Sequence, residues 1–231
     1  MTTTIAALPD HNRLNDPLWL KLFHGYRHVI APLRHNGWVT DIEICGGEFH
    51  VRSDLGDGTE LIIASEHSLP VDPAEVTGWM VLRQNIETPS QHSVLYESTP
   101  DRAQAHHGNG LIPMFTRIDE LDVPKTTTRL MLSGTYSAPY GANHNQCAPV
   151  EAPGTAVARY YEWTRQLAVS DGYRQVWERT EADGYPLSLF ERVGHVVVAR
   201  ITRADDVEHR AVARAPHGDD LEHLPVAHSD D

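Results

Sequence analysis

The chain has 231 residues, of which 40% are hydrophobic and 22% are charged, and its formal net charge is −13, a composition typical of globular proteins. It contains only two lysines, Lys21 and Lys125, and its arginines are scattered. Because binding to phosphate backbones or to anionic membranes needs clustered basic residues, we expect neither nucleic acid nor a membrane as a partner.

Three further features predict a cytoplasmic protein with free thiols. The opening residues, MTTTIAALPDHN, lack the charged and apolar regions of a signal peptide. No window approaches the ~18 consecutive apolar residues of a membrane span. The chain has two cysteines, Cys45 and Cys147, which are too few for a disulfide framework in a chain of this length.

Residues 1–15 predict a flexible arm, after which Asp16 and Pro17 supply an N-cap and a first helical residue. Apolar residues follow at the i, i+3, i+4, i+7 spacing of one buried helix face. They are Trp19, Leu22, Phe23, Tyr26, Val29, Ile30 and Leu33. We expect a kink at Pro32, which lacks the amide hydrogen of a helical bond, and an end at Gly37, which suits a left-handed cap.

Five runs of strand-forming residues come next, separated by turn signals. They occupy residues 38–44, 48–54, 59–66, 79–85 and 92–98. Thr99 and Pro100 then predict the start of a short helix that ends at Gly108 or Gly110. The stretch LIPMFTRIDELDVP predicts a short strand followed by a turn, and TTTRLMLSGTY predicts a further strand.

Pro, Gly, Ala and Asn dominate residues 137–154, which predicts a linker or a long surface loop. A helix, TAVARYYEWTRQLAVSDG, precedes three strands, YRQVWERT, YPLSLFER and HVVVARIT. The last is a continuous apolar run and predicts a central strand buried on both faces. Residues 205–231 contain eight acidic residues and two arginines, which predicts a disordered acidic tail.

The two halves of the chain share an order of elements, a helix followed by a three-stranded meander. Because strands come in runs and do not alternate with helices, the predicted fold class is α+β with antiparallel sheets. We expect an N-terminal α+β unit at residues 16–136 and a C-terminal α+β unit at residues 155–204. Whether the units form one domain or two stays open, as does the choice between duplication and convergence.

Short motifs in the first half of the chain resemble those of an actinobacterial family of unknown function, common on Streptomyces chromosomes and plasmids. The matching features are Gly37 with Trp38, the turn SDLGDG, Gly78 with Trp79, and Tyr96 before Thr99 and Pro100. The resemblance covers residues 26–121 and is absent from the C-terminal half. It implies a small α+β module tied to mobile elements, and it supplies no catalytic residues.

Fifteen histidines raise the question of a metal site. His144 and Cys147 form half of a zinc-binding pattern, to which His106 and His107 could add ligands. The chain lacks a second pair of histidine or cysteine residues at this spacing, so we expect no cofactor. Zinc bound by these four residues is the alternative. Without a metal, the His106–His107 pair would lie in the last turn of a short helix, where partial positive charge suits the dipole.

The aromatic residues of the second helix indicate a function better than these motifs do. Tyr160 and Tyr161 are adjacent, so a helix cannot bury both equally. Exposed aromatic residues commonly anchor protein interfaces. We therefore expect Tyr161 or Trp163 to mark a protein-binding or self-association face.

These observations predict a non-catalytic protein that binds another protein or itself, as a homodimer or as an accessory factor of a mobile element or phage. One alternative is a metal-dependent or histidine-using enzyme built on the four candidate ligands. The other is a phage or plasmid structural protein that assembles through strand edges.

Overall fold

The computed structural model describes residues 5–137, 143–180 and 185–204, and its fold class is the predicted one, α+β with antiparallel sheets. The described α-helices are α1 (Pro17–Gly25), α2 (Arg27–His35), α3 (Leu111–Asp119) and α4 (Pro153–Val169). The first five strands are β1 (Val39–Cys45), β2 (Glu48–Asp54), β3 (Thr59–Ala64), β4 (Met80–Asn85) and β5 (His92–Glu97). The others are β6 (Leu130–Ser137), β7 (Asn143–Cys147), β8 (Arg174–Thr180), β9 (Pro186–Arg192) and β10 (His195–Arg203). The predicted disordered tail, residues 205–231, lies outside the described residues.

The strands form two five-stranded sheets. Sheet A is a meander with the order β1-β2-β3-β4-β5, and sheet B has the order β7-β6-β10-β9-β8. Local alternation and turn glycines predicted the five strands of sheet A and the strands β6, β8, β9 and β10, and the structure confirms them. Strand β6 pairs with β10, so it belongs to the sheet formed by the second half of the chain. Local sequence patterns could not predict this pairing.

The four helices lie between the two sheets. Helices α1 and α2 contact β1, α3 contacts β5, and α4 contacts β6, β8, β9 and β10. Helix α4 also packs along both α2 and α3. One hydrophobic core fills the space between sheet A and α1, α2 and α3, and a second lies between sheet B and α4.

The central position of β10 was predicted correctly, but its burial on both faces was not. Val197, Ala199 and Ile201 face α4 and are fully buried. The alternate residues face away from the helices, and Val196 is exposed. The structure describes no helix on that side of sheet B, so the described helices cover only one face of β10.

The first predicted helix is two helices, and the break lies at Tyr26 instead of at Pro32. Asp16 caps α1 as predicted, accepting hydrogen bonds from the amides of Leu18 and Trp19. Tyr26 leaves the helical conformation, with φ −93° and ψ 17°, while Pro32 lies inside α2. The Tyr26 hydroxyl donates to the carbonyl of Pro70, which fixes the residue at the bend.

The prediction for residues 99–124 was wrong at two places. The expected helix after Thr99 consists of turns and one short 3-10 helix, Ala105–His107. The expected strand is helix α3, whose buried residues Leu111, Met114, Phe115 and Ile118 follow the spacing of a helix face.

The predicted linker at residues 137–154 and the predicted arm at residues 1–15 are also more structured than expected. Within the linker, residues 143–147 form β7 on the edge of sheet B, and α4 begins at Pro153. Within the arm, the amide of Ala6 donates to the carbonyl of Arg34. The Arg13 guanidinium donates to the carbonyl of Ile44 at the edge of β1. The two contacts of the arm join residues far apart in the sequence, so local composition did not reveal them.

Helices α3 and α4 cap each other. Neither N-cap residue, Gly110 or Ala152, provides a side-chain acceptor. The Glu162 carboxylate on α4 instead accepts hydrogen bonds from the amides of Leu111 and Ile112, at the start of α3. An acidic group at this position satisfies free amides and complements the helix dipole.

The N-terminus of α4 receives its cap from the C-terminal end of α3. Asp119 Oδ2 accepts from the amide and the hydroxyl of Thr155 at 2.8 and 2.7 Å. Asp119 Oδ1 accepts from the side chain of Asn36 at 2.8 Å, and Asn36 Oδ1 accepts from the amide of Gly154 at 3.1 Å. A Cβ at Gly154 would lie 2.6 Å from Asp119 Oδ1, so the close approach requires glycine.

Replacing Asp119 by Ala should lower the free energy of unfolding by about 2–4 kcal/mol, because three donors lose their acceptor in a largely buried site. Urea unfolding followed by circular dichroism measures the change. Glu120→Ala is the matched control, since Glu120 is the next residue, is exposed and forms a surface ion pair with Arg117. It should change stability by less than about 0.5 kcal/mol. Equal losses in the two variants would contradict the capping role of Asp119.

Candidate functional site

The outer face of sheet B, which points away from α4, carries a row of apolar side chains. Trp177 on β8 is opposite Leu189 on β9, and Leu189 is opposite Val198 on β10. Trp177 is 38% exposed, and Val196, two residues before Val198, is 37% exposed. We call Trp177, Leu189, Val196 and Val198 the Trp177 face. Large exposed aromatic residues beside aliphatic ones are typical of protein interfaces.

Arginine side chains border the Trp177 face. The Arg179 guanidinium lies 5.2 Å from the centre of the Trp177 ring, a distance that allows a cation–π interaction. Arg174 at the start of β8 forms an ion pair with Glu191 on β9. Arg179 therefore places a positive charge directly beside the Trp177 ring.

Three described strands at sheet edges carry features that hinder pairing with another chain. Strand β8 has a register shift between Gln175 and Trp177, and bulges of this kind bend an edge strand away from pairing. The carbonyl of Ile44 on β1 is occupied by Arg13. The amide of Glu97 on β5 donates to the side chain of Gln104. The geometry favours contact through the face of sheet B over contact through these edges.

A cleft of about 380 Å³ lies on the inner side of sheet B. Its walls come from β6, from the end of β7 and from helices α3 and α4. The lining side chains include Ile112, Leu132, Arg159, Glu162, Trp163 and Gln166, and Cys147 borders the same space. Cys147 is an exposed free thiol.

The position of Trp163 in the cleft depends on a glycine in β6. A Cβ at Gly134 would lie 2.3 Å from Cη2 of the Trp163 ring, so the ring rests directly on the strand backbone. Tyr136 contacts the ring edge-on, with centroids 6.1 Å apart. The indole is thus fixed by its contacts with β6, and part of it borders the cleft.

The structure places the two predicted interaction residues in different surroundings. Tyr160 is fully buried, whereas Tyr161 is partly exposed and packs against both hydrophobic cores. Burial raises the pKa of Tyr161 to about 12, and Arg27 lies over its ring at 5.8 Å. That Tyr161 or Trp163 marks an interaction face stays a prediction, and the geometry favours Trp163, which is reachable from the cleft.

The candidate metal ligands fall in two regions of the described chain. His106 and His107 are adjacent, with ring centroids 4.0 Å apart, beside Tyr96 of sheet A. Cys147 lies at the end of β7 in sheet B, and the side chain of His144 lies outside the described part of the chain. Among the described residues, no three His, Cys, Asp or Glu side chains gather in an arrangement that could hold a metal ion.

Sequence reasoning missed two histidines on α2, the buried His35 and the partly buried His28. Burial, reinforced by nearby arginines, lowers the pKa of His28 to about 4. Burial and the charge of Arg34 lower the pKa of His35 to about 4. His35 stacks on Tyr185, with ring centroids 4.8 Å apart and an interplanar angle of 14°, and its Nδ1 atom has no hydrogen-bond partner among the described residues. The apolar spacing of α2 was the available signal, because His35 lies on its buried side.

Comparisons with protein-family models, with curated proteins and with solved structures find no match to this chain. Among the helices that the structure describes, none has the length and apolarity needed to cross a bilayer.

Acidification should destabilise the fold through His35. Its pKa is lower in the folded state than in the unfolded chain, so the unfolded chain binds the extra proton as pH falls from about 6.5 to about 4. The neutral imidazole of His35 stabilises the folded state above this pH range, and that stabilisation is lost as the pH falls through the range. At about pH 5 the contribution of His35 to the loss relative to pH 7 should be about 2 kcal/mol.

Urea unfolding at the two pH values tests this expectation in wild type and in His35→Phe, which retains an aromatic ring against Tyr185. The variant should lose less stability on acidification than wild type does. His92→Phe is the control, since His92 is exposed on β5, and it should keep the wild-type pH dependence. A His35→Phe variant with that same dependence would contradict the role of His35.

Proposed function

We propose that the protein acts non-catalytically, by binding protein chains, and that a second copy of itself docks on the Trp177 face. The observation that carries the proposal is the apolar row across β8, β9 and β10, on the side of sheet B that no described helix covers. A two-fold interface is self-complementary, so Trp177 of each copy can pack on the aliphatic side chains of the other. The rim arginines match the composition of interface hot spots.

The net charge of the chain opposes association. Two copies that each carry a formal charge of −13 repel one another at low ionic strength. Burial of the Trp177 face would supply a favourable term that salt does not screen, whereas salt screens the repulsion. A hydrophobic dimer of this acidic protein should therefore be tighter at high salt.

Trp177→Ser should shift the protein from dimer to monomer, because it removes the largest apolar contact of the proposed interface. Light scattering after size exclusion and sedimentation equilibrium, from low micromolar to submillimolar concentration, measure the association state. Val94→Ser is the matched control, since Val94 is 56% exposed on β5 of sheet A, and it should leave the association of wild type unchanged.

Two outcomes would contradict the proposed interface. One is a monomeric wild type across the whole concentration range, at low and at high salt. The other is a dimer that Trp177→Ser and Val94→Ser leave equally intact. A dimer that weakens as salt is raised would show that charge pairs, and not the apolar row, hold the copies together.

A further inference from the structure

Two charged side chains, Arg159 and Glu162, line the cleft. The Arg159 guanidinium forms a two-point ion pair with Glu151, in which Nε donates to Oε2 at 2.7 Å and Nη2 donates to Oε1. This pair is formally neutral. The carboxylate of Glu162, which lines the same cleft, adds a negative charge.

Glu162 is held in place with one oxygen still available. Its Oε1 atom accepts the two amides at the start of α3, which fixes the orientation of the carboxylate. Among the described residues, none donates a hydrogen bond to its Oε2 atom, and Oε2 is not one of the buried polar atoms that lack a partner. Oε2 is therefore in contact with solvent and can accept a hydrogen bond without the side chain moving.

The remaining walls of the cleft favour an apolar, planar group. Ile112 and Leu132 supply aliphatic surface, and Trp163 supplies an aromatic ring that Gly134 allows to lie on β6. A volume of about 380 Å³ is at the small end of ligand pockets, so the cleft suits a ligand of one ring and a short chain.

We propose that this cleft binds a small aromatic amine, with its ammonium group on Glu162 Oε2 and its ring against Trp163 and the aliphatic wall. Because Arg159 is already paired with Glu151, the Glu162 carboxylate is the charge that a ligand meets. Together with the net charge of −13, it disfavours an anionic ligand of the same size. The site lies on the opposite side of sheet B from the Trp177 face, and its proposal does not depend on self-association.

The two cysteines allow an internally controlled test with three probes of nearly the same shape, which are phenethylamine, phenethyl alcohol and phenylacetate. Cys147 borders the cleft, and Cys45, also an exposed free thiol, lies at the end of β1 in sheet A. Phenethylamine should slow alkylation of Cys147 by a maleimide and leave the rate at Cys45 unchanged, as measured by mass spectrometry of the digested protein. Phenethyl alcohol should protect Cys147 at least about tenfold less effectively, and phenylacetate should not protect it.

Glu162→Gln should weaken protection by phenethylamine at least about tenfold, because it replaces the charged acceptor by a neutral amide. Glu120→Gln, at the exposed residue that follows α3, should leave protection by phenethylamine as in wild type. Thermal melts of both variants report whether the fold persists. The three probes on wild type decide the matter even if Glu162→Gln is unstable.

The outcomes separate cleanly. Equal protection by the amine and the alcohol would overturn the role of Glu162, and stronger protection by phenylacetate would overturn the charge assignment. Equal effects at Cys147 and Cys45, or no protection by any probe, would overturn the site.

Discussion

The fold depends on the exchange of caps between α3 and α4. Each helix begins without an acceptor of its own, and each receives a carboxylate from the other, Glu162 for α3 and Asp119 for α4. Asn36 joins the second of these contacts, which connects α2 to the same pair. Because α3 packs toward sheet A and α4 toward sheet B, the hydrogen bonds between the helices also hold the two halves of the chain together.

Local patterns predicted the strands well and failed where a contact came from elsewhere in the chain. Strands β1 to β5 alternate and are separated by turn glycines, so the short-range signal was sufficient. Helix α3 was taken for a strand because it has no N-cap in its own sequence; its cap is Glu162, 51 residues away from Leu111. Likewise, Pro32 was the stronger local signal for a helix break, so the break at Tyr26 was not predicted.

The candidate sites were less predictable than the fold for related reasons. Simple alternation puts Gln175 and Trp177 on the same side of β8, but the register shift between them turns Trp177 outward. The cleft needs Gly134 of β6 directly beneath Trp163 of α4, a juxtaposition that only the packed structure defines. The sequence did indicate Trp163 as functionally interesting, although for an exposed surface and not for a cleft.

Sheet A and helix α3 differ in how much of the chain must be synthesised before their contacts can form, because synthesis proceeds from the N-terminus. The strands of sheet A pair with neighbours that are close in sequence, so their hydrogen bonds can form as soon as each hairpin leaves the ribosome. The first amides of α3 must remain in water until Glu162 has emerged, and α2 keeps an uncovered side until α4 is made. The nascent chain therefore carries an exposed apolar helix layer on a finished sheet, the kind of surface that molecular chaperones bind.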